Sequence, residues 1–379
     1  MTHYTGPSCY DVRMRRSALI VFACIVGVGV NCFLLFPALP YVIGGDNDFM
    51  GFYAASHLSG ADLYDHKAIV AIEKEVWNSP RNLPFARFPF YAVMVSPLRY
   101  FSYQHAYWVW QFGSAMSIVL FCAFWPSSKK WATAVACCWS MPLLQCFIMG
   151  QDVTFILLVF GISIALFSGG WRFAAGCAFS LCSIKYNLFM ALPLLIITRQ
   201  LWRFGAGLVA GGGALLAVSF AVGGRYWPWQ YAAMLPSTTS KWAGMPNLHG
   251  MFAFLPSSLL PEVVGTGMVI LITWFVIRGG SLNRSIAATL IASLSISYHA
   301  YLQDASILIP AALLLLFDEV SSVPLKTAAI FLLCPLSYLP FISITPYPYA
   351  IVLLLPLLVM LVEEFIKRVR TGDSQPSSA

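Results

Sequence analysis

Four carboxylates stand close together near the start of a chain in which only 10% of residues are charged. They are Asp46, Asp48, Asp62 and Asp65, in the stretch "GGDNDFMGFYAASHLSGADLYD". A carboxylate can remove a proton as a general base, and Asp is also favoured at helix N-termini. Asp48, which precedes an apolar helical periodicity, fits either role, and Asp46 is the weaker candidate. Turn or cap chemistry explains Asp62 and Asp65, which bracket a Gly-containing turn.

A second set of candidate residues carries positive or titratable side chains, and the predicted topology places it on the same face as the acids. Its members are Lys185, Arg225, Lys241, His249 and His299. Lys185 interrupts an apolar stretch, where an ionisable group is costly unless it has a partner or a wet cavity. It therefore either meets an anion or snorkels its ammonium to the interface. The two histidines could function at a site or hydrogen-bond locally.

The chain that must position these residues is 59% hydrophobic over 379 residues, with a mean hydropathy of +0.76. That is more than the core of a water-soluble protein needs. Apolar runs recur along the whole chain, which predicts an all-α polytopic membrane protein and a single domain over residues 1–379. The first run, Ser17–Leu39, is longer than a signal-peptide core and is predicted to be an uncleaved anchor.

We predict about 12 transmembrane or re-entrant helices. After the first, they are Ser102–Trp125, Trp131–Ile148, Val153–Phe167, Phe173–Ile184, Leu188–Thr198, Phe204–Val222, Ser258–Ile277, Ser285–Tyr298, Ala305–Phe317, Leu325–Pro340 and Tyr347–Ile366. Several of these are too short to cross a bilayer alone. Phe173–Thr198 has the lengths expected of a broken or re-entrant hairpin.

Basic residues assign the predicted loops to two sides. Arg13, Arg15 and Arg16 precede the first span, and most other Lys and Arg residues fall on the same side, together with a tail at 367–379. The positive-inside rule makes that side cytoplasmic. The long segments 40–101 and 223–255 then lie outside.

The first outer segment is predicted to contain helices that lie on the membrane surface. Aromatic residues follow Asp48 at helical spacing, and His66–Trp77 mixes apolar with charged residues. A later apolar piece is broken by Pro89 and Pro97, which favours an interfacial or partly inserted turn over a straight span.

The sequence lacks the patterns of several other protein classes. No Cys and His residues have zinc-site spacing, and no Gly-rich nucleotide-binding loop occurs. The net charge of +7 follows from the cytoplasmic loops and does not indicate nucleic-acid binding. We therefore predict no cofactor, no metal site and no nucleic-acid partner.

Three motifs follow one another along the chain. The aromatic residues and small residues after Asp48 lead to "LYD" and then to "SPLRYFSYQHAYWVW", an order that is similar to the first part of glycosyltransferase family 87. "MGQDVTFILL" resembles the family's Gly-Gln turn before a span. "SIKYNLFMALPLLIITRQLWR" resembles its Lys-containing hairpin that ends in basic residues.

This resemblance implies a GT-C type enzyme, similar to mannosyltransferases that use polyprenyl-phosphate mannose. It implies a lipid-linked sugar donor, a lipid or glycan acceptor, membrane lipids around the protein, and a site on the outer face of the plasma (inner) membrane. The general base would be Asp48, with Asp46 as a secondary acid. Donor phosphate or substrate would be bound by Lys185, His249, His299, Arg225 and Lys241. A single inverting displacement follows from one base and an already anionic leaving group.

Two other functions compete with this interpretation. A transporter or flippase of lipid-linked intermediates would usually carry ionisable groups near the bilayer midplane and show repeated halves, and neither is clear here. A non-enzymatic scaffold would leave Lys185 without a reason.

Overall fold

The computed structural model of the protein describes residues 9–76, 83–238, 244–342 and 349–372. Every regular element in these ranges is a helix, which confirms the all-α prediction. In the first half the helices are α1 (Cys9–Leu34), α2 (Leu39–Gly44), α3 (Phe49–Ser56), α4 (His66–Val76), α5 (Pro89–Val95), α6 (Tyr103–Phe124), α7 (Lys130–Trp139), α8 (Met141–Met149), α9 (Val153–Ser168) and α10 (Arg172–Phe179).

In the second half the helices are α11 (Leu192–Thr198), α12 (Trp202–Gly223), α13 (Trp227–Thr238), α14 (Leu248–Met251), α15 (Leu259–Gly279), α16 (Leu282–Ile296), α17 (Leu308–Leu316), α18 (Val323–Phe331) and α19 (Leu355–Gly372). Short 3₁₀ helices connect them at Phe36–Ala38, Gly60–Tyr64, Ser96–Tyr100, Ser180–Phe189, Leu302–Ile307, Pro335–Phe341 and Tyr349–Leu354.

Among the described residues, four helices are long and apolar enough to cross a membrane. They are Ser17–Leu34 of α1, α6, α12 and α15, and three bent pairs raise the number to as many as seven. The predicted span Trp131–Ile148 is broken, because α7 and α8 meet at a bend of 64°. The predicted Phe173–Thr198 hairpin is sharply broken, with a bend of 112°. Shorter apolar helices complete the bundle, and the number twelve stays a prediction.

Serine and asparagine side chains fix where several helices begin. Ser140 separates α7 from α8, and its hydroxyl accepts a hydrogen bond from the Leu143 amide at the start of α8. The side chains of Asn247, Ser281 and Ser322 cap α14, α16 and α18 in the same way. Such caps satisfy amides that have no partner in the first turn of a helix.

Helix α3 is buried, which corrects the prediction that it lies on the membrane surface. All eight of its residues are buried. Small or apolar residues of α3 occupy every side of the helix, so it has no polar face to turn to water. The ring centroid of Phe49 lies 5.6 Å from that of Tyr107 and 5.4 Å from that of Trp110. This aromatic packing holds α3 against α6, immediately after Asp48.

Helix α4 has the amphipathic character that the sequence predicted, with one unexpected buried charge. Ile69 and Glu73 are its buried residues, and the Glu73 carboxylate accepts a hydrogen bond from the Leu83 amide at 3.2 Å. The piece with two prolines forms α5 and a 3₁₀ turn rather than a straight span. Helix α5 packs on α12, where the Phe90 amide donates to the Ser219 hydroxyl at 3.2 Å.

Candidate active site

The backbone of Asp48 is attached to the end of α8. The Asp48 amide donates to the carbonyl oxygen of Met149 at 3.0 Å, and the Asn47 side-chain amide donates to that of Ile148, also at 3.0 Å. Carbonyls in the last turn of a helix lack partners within the helix. The Asp48 segment satisfies two of them and so brings its carboxylate beside the turn that follows α8.

The side chain of Asp48 does not cap α3, although Asp48 occupies the N-cap position. Asn47 bonds the start of the helix instead, since its side-chain oxygen accepts from the Phe49 amide at 3.1 Å. Oδ2 of Asp48 accepts a hydrogen bond from Nε2 of Gln151 at 2.6 Å. The helix-capping interpretation of the Asp48 carboxylate is therefore wrong.

Lys185 lies at a kink in the 3₁₀ segment Ser180–Phe189, with φ −128° and ψ 66°. Its ammonium donates to Oε1 of Gln151 at 2.9 Å and to Oδ1 of Asp304 at 2.5 Å, and it lies 3.6 Å from Oδ1 of Asp152. The side chain is only 6% exposed. Lys185 therefore does not snorkel, and its charge is balanced inside the protein.

Arg87 and Asp152 form a second buried ion pair next to Lys185. Nε of Arg87 donates to Oδ2 of Asp152 at 2.7 Å and Nη2 donates to Oδ1 at 3.0 Å, a two-pronged geometry. Burial alone would lower the pKa of Arg87, but the Asp152 carboxylate raises it. Burial alone would raise the pKa of Asp152, but the charges of Arg87 and Lys185 hold it below its ordinary value. Both groups stay ionised at neutral pH.

A cavity of about 180 Å³ opens between these residues. Its wall is formed by Asp48, Gly51, Phe52, Leu83, Pro84, Phe85, Ala86, Arg87, Gln151, Lys185, His299 and Tyr301. Asp48, Lys185 and His299, three of the residues proposed from the sequence, thus share one pocket. The ring of His299 lies 4.8 Å from that of Tyr301, edge to face.

The structure does not bring the other candidates to this cavity. Arg225 is exposed, with its guanidinium over the Tyr226 ring at 4.5 Å. Nδ1 of His249 lies 3.0 Å from a carboxylate oxygen of Glu262, in a separate pair. Lys241 lies outside the described residues. Asp46 is half-buried and is not part of the wall.

Arg87, Gln151, Asp152 and Asp304 are the site residues that sequence reasoning missed. Arg87 lies in the first long predicted outer segment, and Gln151 and Asp152 lie in the turn "MGQD", so neither setting distinguishes these residues from ordinary loop residues. The position of the two acids in the sequence could have identified them as candidates. Asp152 directly precedes the strongly apolar α9, and Asp304 lies between two apolar segments. The rule that singled out Lys185 applies equally to these acids.

An aromatic cluster adjoins the polar cavity. Phe88 follows Arg87, Tyr186 follows Lys185, and the two rings stack at 5.2 Å with an angle of 10° between planes. The Tyr186 hydroxyl lies 2.6 Å from that of Tyr298, the residue before His299. Neighbouring residues thus face opposite ways, one to the cavity and one to the aromatic cluster.

The arrangement combines one carboxylate with cations that still have hydrogen-bonding capacity. Lys185 donates two of its three N–H groups to Gln151 and Asp304. Arg87 donates three of five, two of them to Asp152 and one to the Ala86 carbonyl. Both cations retain N–H donors for an anion in the cavity, and Asp48 can act on a proton there. Among the described residues no group of three or more His, Cys, Asp or Glu could hold a metal ion.

Comparisons with known proteins complement this geometry. The sequence model of Glycosyltransferase family 87 matches residues 88–299, more than half of the chain. The search of curated proteins and the search of solved structures each find no match. The matched range includes Gln151, Asp152, Lys185 and His299, while Asp48 and Arg87 lie before it. With an all-helical fold and several helices able to span a membrane, the chain belongs to glycosyltransferase family 87 and is a membrane glycosyltransferase.

Proposed function

We propose that the protein transfers a sugar, expected to be mannose, from a polyprenyl-phosphate donor to a lipid or glycan acceptor, with inversion at the anomeric carbon. The observation that carries the proposal is that Asp48 and Lys185 line one cavity and are joined through Gln151. The proposed base for the acceptor and the proposed cation for the donor phosphate are then separated only by the side-chain amide of Gln151.

In the proposed reaction the acceptor hydroxyl oxygen attacks the anomeric carbon of the donor sugar. Asp48 takes the hydroxyl proton as the new carbon–oxygen bond forms. The bond from the anomeric carbon to the phosphate oxygen breaks, and its electron pair leaves on polyprenyl phosphate. Asp48 later releases the proton to water, so the enzyme returns to its starting state without a covalent sugar.

The leaving phosphate gains negative charge and needs N–H donors more than it needs an acid. Lys185 and Arg87 supply such donors from the cavity wall, and His299 supplies an imidazole. The same cations face Asp152 and Asp304, so a bound phosphate would share them with two carboxylates. This sharing favours a weakly held, exchangeable donor over a permanently bound one.

We place the site at the outer face of the plasma (inner) membrane, because the basic loops predict a cytoplasmic opposite face. A lipid-linked donor presents its phosphate at the headgroup level. The cavity is walled by the segment 83–87 of the first long predicted outer segment and by turns at 151, 185 and 299, all predicted to be on that side.

The test uses purified protein in lipid nanodiscs with a panel of polyprenyl-phosphate sugars and candidate glycolipid acceptors. Consumption of one donor, with a new glycosidic product of inverted configuration, is the expected result. If no donor is consumed, while labelled lipid-linked sugar crosses the bilayer of proteoliposomes, the protein is a flippase and the proposal is wrong. Activity that persists in EDTA agrees with the predicted absence of an obligatory metal.

A further inference from the structure

The side-chain amide of Gln151 connects the proposed base to the proposed phosphate cation. Its Nε2 donates to Oδ2 of Asp48 at 2.6 Å, and its Oε1 accepts from Nζ of Lys185 at 2.9 Å. Gln151 is 8% exposed and is itself part of the cavity wall. Among the residues that the structure describes, no other side chain forms hydrogen bonds with both Asp48 and Lys185.

The chemistry of the two partners determines the orientation of this amide. An ionised carboxylate only accepts hydrogen bonds and an ammonium only donates them. The NH₂ group of Gln151 must therefore point to Asp48 and its oxygen to Lys185. The opposite orientation would place two acceptors together and two donors together.

This geometry favours the ionised form of Asp48. A hydrogen bond donated to a carboxylate stabilises its charged form, and the bond to Oδ2 uses one of several acceptor positions on the two oxygens. Proton acceptance from the acceptor sugar remains possible at the same carboxylate. The bond also restricts rotation of the carboxylate about its own axis.

We infer that Gln151 is a positioning residue for the reaction: its amide orients the Asp48 carboxylate, keeps it ionised, and couples its position to that of Lys185. This inference rests on the proposed function, in which Asp48 is the base. It goes further by assigning a role to the Gln of the "MGQD" turn, which composition and spacing alone would treat as structural.

Two substitutions separate positioning from simple filling of space. Gln151→Leu keeps most of the volume and removes both hydrogen bonds. Gln151→Glu keeps the shape and the bond to Lys185 but replaces the donor to Asp48 with a second carboxylate. If Gln151 only fills space, Gln151→Glu resembles the wild type more closely. If it positions and stabilises ionised Asp48, Gln151→Glu is the more damaging change.

The measurement is the pH dependence of kcat with the donor found in the panel. We expect kcat to fall about 10- to 100-fold in Gln151→Leu, with little change in donor KM, as for a misplaced reacting group. The acid limb of the profile moves to higher pH by about one unit in Gln151→Leu, because a hydrogen bond to the charged form is lost. It moves further in Gln151→Glu, because two like charges then face each other.

Other charged groups face Asp48 and its surroundings and must stay constant in this comparison. They belong to the cavity wall or to its ion pairs: Arg87, Asp152, Lys185, His299, Tyr301 and Asp304. All of them are present in the wild type and in both variants, so the difference between profiles reports on position 151.

Gln111 provides a matched control. It is also 8% exposed, and its amide donates to the Tyr107 hydroxyl at 2.6 Å and to the Phe147 carbonyl at 2.8 Å. It is not part of the cavity wall. Gln111→Leu removes as many hydrogen bonds from a buried glutamine, and we expect it to leave the acid limb where it is.

An acid limb that coincides with that of the wild type in Gln151→Leu, or that moves less in Gln151→Glu than in Gln151→Leu, would overturn the inference while the proposed function stands. If the wild type transfers no sugar, the proposed function fails instead. The inference is then decided by NMR of carboxyl-¹³C-labelled aspartate, with the Asp48 signal identified by its loss in Asp48→Asn. Titration of that signal at higher pH in both Gln151 variants supports the inference, and unchanged titration refutes it.

Discussion

The ammonium of Lys185 lies 2.5 Å from Oδ1 of Asp304, although 119 positions separate the two residues in the chain. Both side chains are almost fully buried. A buried ion pair is costly to break, because removal of one partner leaves the other charge uncompensated. The pair therefore determines how any test of Lys185 must be designed.

Lys185→Met should lower the free energy of unfolding by about 3–5 kcal/mol, the usual cost of an orphaned buried charge. Lys185→Met combined with Asp304→Asn should recover part of that loss, as measured by thermal unfolding in detergent. If Lys185 binds the donor phosphate, the double variant remains deficient in donor binding despite its recovered stability. Donor binding equal to the wild type in the double variant would show that Lys185 is structural.

Asp48→Asn should reduce sugar transfer by at least ~100-fold, the low end of a general-base contribution. The amide keeps the size of the side chain but has no useful basicity, so folding and donor binding should be retained. Initial rates of product formation measure the effect, with Asp46→Asn as the control because Asp46 is not part of the cavity wall. Normal turnover in Asp48→Asn with loss in Asp46→Asn would assign the base to Asp46, and normal turnover in both would refute the mechanism.

The ion pair of Arg87 with Asp152 should stabilise the protein in a pH-dependent way. The folded-state pKa of Asp152 lies below its ordinary value of 3.8, so its contribution is complete above that pH and declines as the pH falls through the folded-state pKa. The difference in Tm between wild type and Asp152→Asn should be constant from about pH 7 to 5 and shrink below about pH 3.8. A difference that grew on acidification would contradict this assignment.

Gly150→Ala should destabilise the protein and impair transfer. Gly150 has φ +62°, and an added Cβ would lie 2.7 Å from Oδ1 of Asn47 and 2.8 Å from Cβ of Phe49. The left-handed conformation alone costs a non-Gly residue on the order of 1–3 kcal/mol. Gly170, with φ +86° and nothing within 4 Å of the same position, isolates that cost. Thermal unfolding should show a larger loss for Gly150→Ala than for Gly170→Ala.

The predicted topology is tested by cysteine labelling in cells, with the native cysteines removed. Ser59 and Ser128 are both exposed and lie on opposite predicted sides. A membrane-impermeant maleimide should label Ser59→Cys in intact cells and Ser128→Cys only after permeabilisation. Equal labelling of the two sites in intact cells would refute the topology, and with it the outer location of the cavity.

The sequence by itself determined the class of protein: an all-helical membrane protein with motifs of a glycosyltransferase family. These properties follow from local features, namely long apolar runs and short ordered motifs, whose meaning does not depend on distant contacts. Asp48 and Lys185 also stood out locally, because a charge within or beside an apolar run has few explanations.

Only the tertiary structure decided which of the candidate residues share a cavity. Asp48, Arg87, Gln151, Lys185 and Asp304 come from segments that are far apart in the chain, and they meet because buried charges require partners. Arg225 and His249 were candidates on the same predicted face, yet Arg225 is exposed and His249 pairs with Glu262. The burial of α3 was also decided by the tertiary structure. An apolar helix can be covered either by lipid or by other helices of the same protein, and its own sequence does not determine which of the two covers it.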